Sequence, residues 1–279
     1  MQHAIDEVKG QLGKTWPSAT GGLTLSGALM PSYNPSRPEE IVGIVLTAAA
    51  ADVEVAVRHA DQAWAAWRAM PAERRVEIIR AAAALMRSRR DRLAAWEVLE
   101  CGKPRREADA DVAEAIDFLE FYGAEWLRLS EPKRLGQEPG ELNHRLLEPR
   151  GITAVIAPWN FPLAIPTGMV SAALVTGNPV LFKPSERSPI LGQLLAELLI
   201  EAGVPEAVLL CLHGGPEIGR ALAQHPAITT IAFTGSKKVG LGLLKDTAAV
   251  VPGQRMVKRV IAEMGGKNAI IIDETADLD

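Results

Sequence analysis

The amino-acid sequence predicts an α/β protein built on a doubly wound parallel sheet, with a helical region before the sheet. Short apolar runs at 152–157, 179–183, 207–211, 228–233 and 257–262 have the length of buried strands. The segments between these runs have helical spacing. The one at 189–202 follows Ser188, a candidate N-cap, and stops at Gly203. Strands that alternate with helices at this rhythm are typical of a parallel sheet.

The residues before this sheet are predicted to be mostly helical. One apolar helix follows Asp52, a candidate N-cap, and a second opens at Pro71, which suits the first helical position. A third is predicted over 107–128. The buried stripe of the second helix comprises Val76, Ile79, Ala83 and Met86. Three tryptophans are interpreted as core, the alternative being an aromatic binding box: Trp64, Trp67 and Trp96. An exposed strand is predicted at 142–147.

Composition narrows the functional class of this 279-residue chain. Its formal net charge of -4 argues against a nucleic-acid partner. No apolar run is long enough to cross a bilayer, and the first residues do not resemble a secretory signal. Cys101 and Cys211 form no disulfide framework, and the five histidines lack metal-ligand spacing. We therefore expect a cytoplasmic protein without a metal site.

Three predicted strands end in polar or glycine-rich turns, where parallel sheets bind ligands. The Gly-x-Gly-x-x-Gly fingerprint is absent from all three. The segment 233–236 opens a helix whose N-terminus suits an anion, with Gly235 allowing close approach, although a tight turn without a ligand explains it equally well. Lys183 and Glu186 have the chemistry to bind ribose hydroxyls, and a surface ion pair or a helix cap is the alternative. Lys237 and Lys238 receive no role.

Four segments in this order resemble the aldehyde dehydrogenase superfamily: 158–162 (Pro-Trp-Asn-Phe-Pro), 183–186 (Lys-Pro-Ser-Glu), 233–236 (Phe-Thr-Gly-Ser) and 263–268 (Glu-Met-Gly-Gly-Lys-Asn). The segment 252–267 contains a lengthened stretch of chain before Glu263 and has Met264 where many relatives carry leucine. In both respects it is similar to the 1-pyrroline-5-carboxylate dehydrogenase branch. The segments 96–100, 102–104 and 107–118 agree with this. That branch oxidises L-glutamate γ-semialdehyde to L-glutamate in proline catabolism.

The resemblance implies a Rossmann-like domain that binds NAD without the usual glycine fingerprint. By motif, Lys183 and Glu186 hold the adenosine ribose, Gly215 approaches the adenine side, and Gly235 and Ser236 contact the diphosphate region. The implied cofactor contacts also include Ile156, Trp159, Ser185 and Phe233. Glu186 implies NAD rather than NADP, because a carboxylate there repels a 2′-phosphate.

The resemblance also implies covalent chemistry in which a cysteine thiolate attacks the aldehyde. Asn160 then stabilises the oxyanion, Glu263 activates the hydrolytic water, and Phe161 contacts the substrate. The nucleophilic cysteine of the family lies a few dozen residues beyond the motif that contains Glu263, so the resemblance implies that these 279 residues lack it and, on their own, bind NAD without oxidising an aldehyde. Cys211 is expected to be a buried small hydrophobe, and Cys101 a packing residue at a helix end.

The expected organisation has four parts: a helical part of the cofactor domain at 1–133, a bridging or oligomerisation strand at 134–150, the Rossmann-like core at 151–262, and the start of a truncated catalytic domain at 263–279. Within the last part, 270–273 is predicted as a strand and 275–279 as the start of a helix. The full-length family enzyme is expected to be a homo-oligomer. Two alternatives are a catalytically dead nucleotide-binding or assembly module, and a dehydrogenase for another aldehyde.

Overall fold

The five predicted strands of the second half form one parallel sheet in the computed structural model, which describes residues 1–16 and 22–277. The order across the sheet is β10-β9-β6-β7-β8, so the first strand in sequence is central. Helices alternate with these strands and cover both faces, which makes the fold a doubly wound α/β sheet, as expected. In chain order the elements are β6 (Thr153–Ile156), α6 (Ala164–Val175), β7 (Val180–Lys183), α7 (Pro189–Glu201), β8 (Leu209–Cys211), α8 (Pro216–Gln224), β9 (Thr230–Gly235), α9 (Lys237–Ala248) and β10 (Arg259–Met264).

The N-terminal part is less purely helical than predicted. Its elements are α1 (Gln2–Lys9), β1 (Thr15–Trp16), β2 (Leu29–Asn34), β3 (Arg37–Leu46), α2 (Ala50–Ala69), α3 (Ala72–Ser88), α4 (Arg90–Cys101) and α5 (Arg105–Ser130). The prediction missed the small sheet of order β1-β3-β2. The outer end of β3 carries charged, exposed residues, and only its inner end is buried, so the chain shows no clean alternation there.

Several predicted boundaries and caps were wrong. Asp52 is the third residue of α2 rather than its N-cap: its carboxylate accepts the Ala49 N–H at 2.7 Å and the Ser26 N–H at 2.8 Å. Pro71 is the N-cap of α3, and the helix begins one residue later. The predicted strand at 257–262 is shifted to Arg259–Met264, which places Glu263 inside β10.

The stretch between the two parts contains less strand than predicted. Only His144–Arg145 (β5) of the expected 142–147 strand is regular, and it pairs antiparallel with β4 (Lys133–Arg134). Residues 270–273 form no strand. The helix predicted at 275–279 falls partly on residues 278–279, outside the described residues. None of the helices in the described ranges has the length and apolar character needed to span a membrane.

Two apolar clusters hold the sheet between its helices. One face packs against α3 to α7 through residues such as Val155 and Phe182, and the other packs against α2, α8 and α9 through residues such as Ile156 and Phe233. The α3 stripe is buried as predicted. Trp67 and Trp96 are buried in the core, and Trp64 is half-buried, which favours the core interpretation over a binding box.

Arg75 joins the ends of two helices from within the core. It is buried in the first turn of α3, where its Nε donates to the Val175 carbonyl at 2.9 Å. Its Nη1 donates to the carbonyls of Trp67, at 3.2 Å, and Met70. One guanidinium therefore donates to carbonyls at the C-terminal ends of both α2 and α6, where the helical hydrogen-bond pattern runs out.

We predict that Arg75→Ala lowers the free energy of unfolding by about 3 kcal/mol, because several buried carbonyls lose their donor. Urea unfolding of the chain measures this change. The matched control is Arg74→Ala, since Arg74 is an exposed neighbour that pairs with Glu77, three residues further along the same helix, at 2.5 Å. The control substitution should lower the free energy of unfolding by at most about 0.5 kcal/mol. Equal effects of the two substitutions would contradict the capping role.

Candidate nucleotide and aldehyde site

The parallel register brings the predicted cofactor residues to one edge of the sheet. Ile156, the last residue of β6, is paired with Lys183 of β7 on one side and Phe233 of β9 on the other. Residues in register point to the same face, so all three side chains lie on the side covered by α8. A Cβ added at Gly219 of α8 would lie 3.7 Å from Lys183 Cδ and 3.8 Å from Ile156 Cδ1.

Lys183 has a buried stem and an ammonium group held at the turn after β7. Its Nζ donates to the Pro184 carbonyl at 3.0 Å and lies 3.5 Å from Glu186 Oε2. Burial lowers the pKa of Lys183, and Glu186 opposes that shift. Ser185 is buried, with its Oγ accepting the Arg187 N–H at 3.2 Å. The ion pair considered from sequence is therefore present, at the edge where parallel sheets bind ligands.

The turn between β9 and α9 has the form of an anion site. Ser236 is the N-cap of α9, and its Oγ accepts the Val239 N–H at 3.3 Å. The other N–H groups of the first turn have no helical acceptor. Gly235 is required here, because an added Cβ would lie 2.7 Å from the Phe233 ring. The first turn therefore presents backbone donors of the kind that bind an anion.

Gly215 and His213 lie in the turn between β8 and α8. Gly215 is the N-cap of α8, and its N–H donates to Glu217 Oε1 at 2.8 Å. His213 is buried, with Nε2 placed 3.0 Å from Gln193 Oε1. Burial, with a smaller contribution from Lys183, lowers the pKa of His213 to about 3, so the imidazole is neutral.

The turn between β6 and α6 presents Trp159, Asn160 and Phe161 to solvent. The guanidinium of Arg187 lies over the Trp159 ring at 5.5 Å from its centroid, and the ammonium of Lys103 lies over the Phe161 ring at 4.3 Å. These two cations fix the aromatic neighbours of Asn160 on both sides.

A buried carboxylate anchors the same turn from below. Asp111 of α5 is buried, and its Oδ1 accepts the Ala164 N–H at the start of α6 at 2.6 Å. Its Oδ2 accepts from Lys103 Nζ at 2.5 Å. The same ammonium lies 3.4 Å from Glu97, which is fully buried. Burial, then the adjacent Asp111 carboxylate, raises the pKa of Glu97 to about 10, so Glu97 is neutral at pH 7.

Glu263 lies on the opposite face of the sheet from the Lys183 side chain. In β10 the side chains of Val260, Ala262 and Met264 are half-buried, and Glu263 is exposed. Glu263 is in register with Thr234, whose hydroxyl contacts Met169 of α6. It therefore lies on the α6 face, two strands from β6, which is roughly 10 Å at the usual strand spacing. Asn160, just before α6, and Glu263 thus share one edge of the sheet.

Comparison with known proteins decides the family. The profile of the Aldehyde dehydrogenase family matches residues 24–279. The chain belongs to the aldehyde dehydrogenase family. It is 45% identical over 278 residues to a 1-pyrroline-5-carboxylate dehydrogenase of Geobacillus thermodenitrificans, covering 99% of this chain and 54% of that protein. A Bacillus subtilis enzyme of the same name is 43% identical over 98% of this chain and 53% of its own length.

Solved structures agree with the sequence relatives. The crystal structure of 1-pyrroline-5-carboxylate dehydrogenase from Thermus with bound NAD matches with a TM-score of 0.96 and 42% identity, over 99% of this chain and 54% of that one. Proline utilization A from Bdellovibrio bacteriovorus matches with a TM-score of 0.92 and 43% identity, over 95% and 28%. The chain spans about half the length of the curated relatives it matches. The fold is thus a Rossmann-like aldehyde dehydrogenase fold.

Burial governs the protonation of the two cysteine thiols, Cys101 and Cys211. Cys211 is fully buried, and burial raises the pKa of its thiol. Cys101 ends α4, and burial, followed by Glu100, raises the pKa of its thiol well above the ordinary range. Both groups are thiols rather than thiolates at neutral pH. No group of three or more potential metal ligands occurs in residues 1–16 and 22–277.

Sequence reasoning missed four charged residues of this site: Glu97, Lys103, Asp111 and Glu217. Three of them form the buried cluster under the β6–α6 turn, and their partners lie far away in sequence. Lys103 belongs to the segment 102–104 (Gly-Lys-Pro), which the sequence singled out as part of the family resemblance without a role for the lysine. Glu217 follows Gly215 and Pro216 in the first turn of α8, a position where acidic residues commonly cap helices.

We predict that Glu97→Gln changes how stability depends on pH. Between about pH 4.5 and 10 the unfolded chain ionises Glu97 and the folded chain keeps it protonated, so this residue lowers stability as pH rises. Glutamine removes that contribution. The free energy of unfolding of the variant, relative to that of the parent, should therefore rise by at least about 1 kcal/mol from pH 6 to pH 9. Urea unfolding at both pH values measures it. Glu114→Gln, an exposed change on α5, is the control, and a pH-independent difference at Glu97 would contradict the buried neutral acid.

Proposed function

We propose that this chain forms the NAD-binding half of the active site of an NAD-dependent dehydrogenase that oxidises L-glutamate γ-semialdehyde to L-glutamate. The observation that carries the proposal is the shared edge of β6, β7 and β9, with Ile156 in register between Lys183 and Phe233. The relatives named 1-pyrroline-5-carboxylate dehydrogenase support the choice of substrate.

The residues at this edge fit a dinucleotide. Lys183 and Glu186, with Ser185 beneath them, suit the hydroxyls of the adenosine ribose. The first turn of α9, with Gly235 and Ser236, suits the diphosphate, because a helix N-terminus presents backbone donors to an anion. We assign the remaining cofactor contacts to Ile156, Trp159, Gly215 and Phe233. NAD, when bound, would accept the hydride that leaves the carbonyl carbon after a thiolate has added to it.

The roles proposed for the chain's own residues follow from where charge forms during the reaction. When a thiolate adds to an aldehyde, negative charge forms on the former carbonyl oxygen, and the Asn160 amide donates a hydrogen bond to it. Glu263 accepts a proton from the water that releases the acid product. Phe161, held by Lys103, lies beside Asn160 and bounds the substrate chain. Lys103 and Asp111 act on the reaction only by positioning this turn.

The same proposal includes the organisation of the chain. We assign 1–133 to the helical part of the cofactor domain, 134–150 to a bridging segment, 151–262 to the nucleotide-binding core and 263–279 to the start of the catalytic domain. Exposed leucines flank the β4–β5 pair, which supports contact with another copy of the protein: Leu135, Leu142, Leu146 and Leu147. A cytoplasmic homo-oligomer is the expected form of the complete enzyme.

NAD binding tests the proposal directly. We expect the 279-residue chain to bind NAD saturably in isothermal titration calorimetry, and Lys183→Met to weaken binding by about tenfold or more. The substitution keeps the buried stem and removes the charged donor, and hydrogen bonds to charged groups contribute roughly 1.5–3 kcal/mol. Lys245→Met, an exposed change in the last turn of α9, is the control and should bind as the parent does. Loss of binding in both variants, or in neither, would reject the ribose assignment.

Turnover tests the assignment of the two thiols. We expect the purified 279-residue chain to form no NADH from NAD and L-glutamate γ-semialdehyde, because the half-buried Cys101 and the fully buried Cys211 are both neutral thiols. The measurement is NADH absorbance, with a simple aliphatic aldehyde as a second substrate. Turnover that disappears in Cys101→Ser or Cys211→Ser would overturn this expectation. Turnover of the aliphatic aldehyde alone would overturn the assignment of L-glutamate γ-semialdehyde as the substrate.

A further inference from the structure

The N-terminus of α8 is closed by a carboxylate from its own first turn. Glu217 Oε1 accepts the Gly215 N–H at 2.8 Å, and a Cβ added at Gly215 would lie 2.6 Å from Glu217 Oε2. The backbone donor that an external anion would use is therefore already paired with a negative charge. Glu217 itself is exposed, so this charge faces the solvent side of the turn.

The other helix N-terminus at this edge has the opposite character. Helix α9 is capped by the neutral hydroxyl of Ser236, and Lys237 and Lys238 are exposed in its first turn. The dipole of α9 and these two cations all attract an anion. Of these two helices, α9 is thus suited to phosphate, and the Glu217 carboxylate at α8 repels it.

Glu217 also acts on the proposed ribose site through Lys183. Helix α8 packs on the lysine stem, with the added Cβ of Gly219 at 3.7 Å from Lys183 Cδ. Among the charges that oppose the burial-induced lowering of the Lys183 pKa, Glu186 acts most strongly and Glu217 follows. The Lys183 ammonium thus has Glu186 as its ion-pair partner, and Glu217 supplies a second carboxylate on the helix that covers the lysine stem.

The nearby basic groups do not offset this second carboxylate. The guanidinium of Arg187 is held over the Trp159 ring, and His213 is neutral because burial lowers its pKa to about 3. Arg220, further along α8, has its Nε 3.6 Å from Asp246. The ribose end of the site carries a net negative charge from Lys183, Glu186 and Glu217.

We propose that Glu217 is a specificity-determining residue that excludes nucleotides with a phosphate on the adenosine ribose, adding to the effect of Glu186. This rests on the proposed NAD site at the same edge. A 2′-phosphate next to Lys183 is repelled by a second carboxylate. The Gly215 N–H at the α8 N-terminus is not free to bind that phosphate, because it already donates to Glu217. The ribose hydroxyls of NAD carry no charge, so the same carboxylate leaves NAD binding almost unaffected.

The test is calorimetric titration of the 279-residue chain with NAD and with NADP. Glu217→Gln keeps an oxygen that accepts the Gly215 N–H and removes the charge, whereas Glu217→Asp keeps the charge. Glu206→Gln is the matched control, because Glu206 is exposed and precedes β8, at the far end of that strand from the site. For Glu217→Gln we expect the ratio of the NADP Kd to the NAD Kd to fall about fivefold to tenfold, with the NAD Kd within about twofold of the parent.

The outcomes separate this inference from the proposed function. A fall in the ratio for Glu217→Gln, with Glu217→Asp and Glu206→Gln unchanged, supports the inference. An unchanged ratio in Glu217→Gln, or the same fall in Glu206→Gln, overturns it while NAD binding by the parent keeps the proposed function intact. Equal weakening of NAD and NADP by Glu217→Gln also overturns it, since that marks a structural cap. Absence of NAD binding by the parent rejects both.

Discussion

The parallel register of β6 between β7 and β9 is the constraint on which the rest of the site depends. Ile156 must lie opposite both Lys183 and Phe233 for the two following turns to meet at one edge. Because successive strand residues alternate between faces, a shift of one residue would move the Lys183 side chain to the α6 face. The apolar clusters on both faces hold this register, since each strand contributes alternating residues to both of them.

Buried charges connect the surrounding helices to this sheet. Arg75 joins the ends of α2 and α6, and Asp111 holds the start of α6. Glu100 does the same for α7: its carboxylate accepts the Ile190 N–H at 2.9 Å, the Leu191 N–H at 2.8 Å and the Ser32 hydroxyl at 2.8 Å. Burial raises the pKa of Glu100 to about 7, opposed by these donors. Charge in this core is thus placed at helix ends, where backbone groups lack partners.

Much of the sheet was predictable from sequence because its signals are local. Four-residue apolar strands bounded by glycine, proline and helical segments predict β6 and β7 to within two residues. The position of Glu263 was not predictable in this way, because pairing with β9 extends β10 past the apolar run. The hairpin of β2 and β3 was missed since its burial depends on distant helices, such as the contact of Gly43 with Ile190. Likewise, no local pattern distinguishes the buried Glu97 from an exposed glutamate on a helix.

Hydrogen–deuterium exchange of the 279-residue chain with and without saturating NAD tests the central claim, that the edge of β6, β7 and β9 is the nucleotide site. The account predicts that NAD slows exchange of backbone amides at 183–187 and 233–239, and leaves 133–147 unchanged. Slowed exchange confined to the N-terminal sheet or to α3 and α4, with these two turns unaffected, would contradict it.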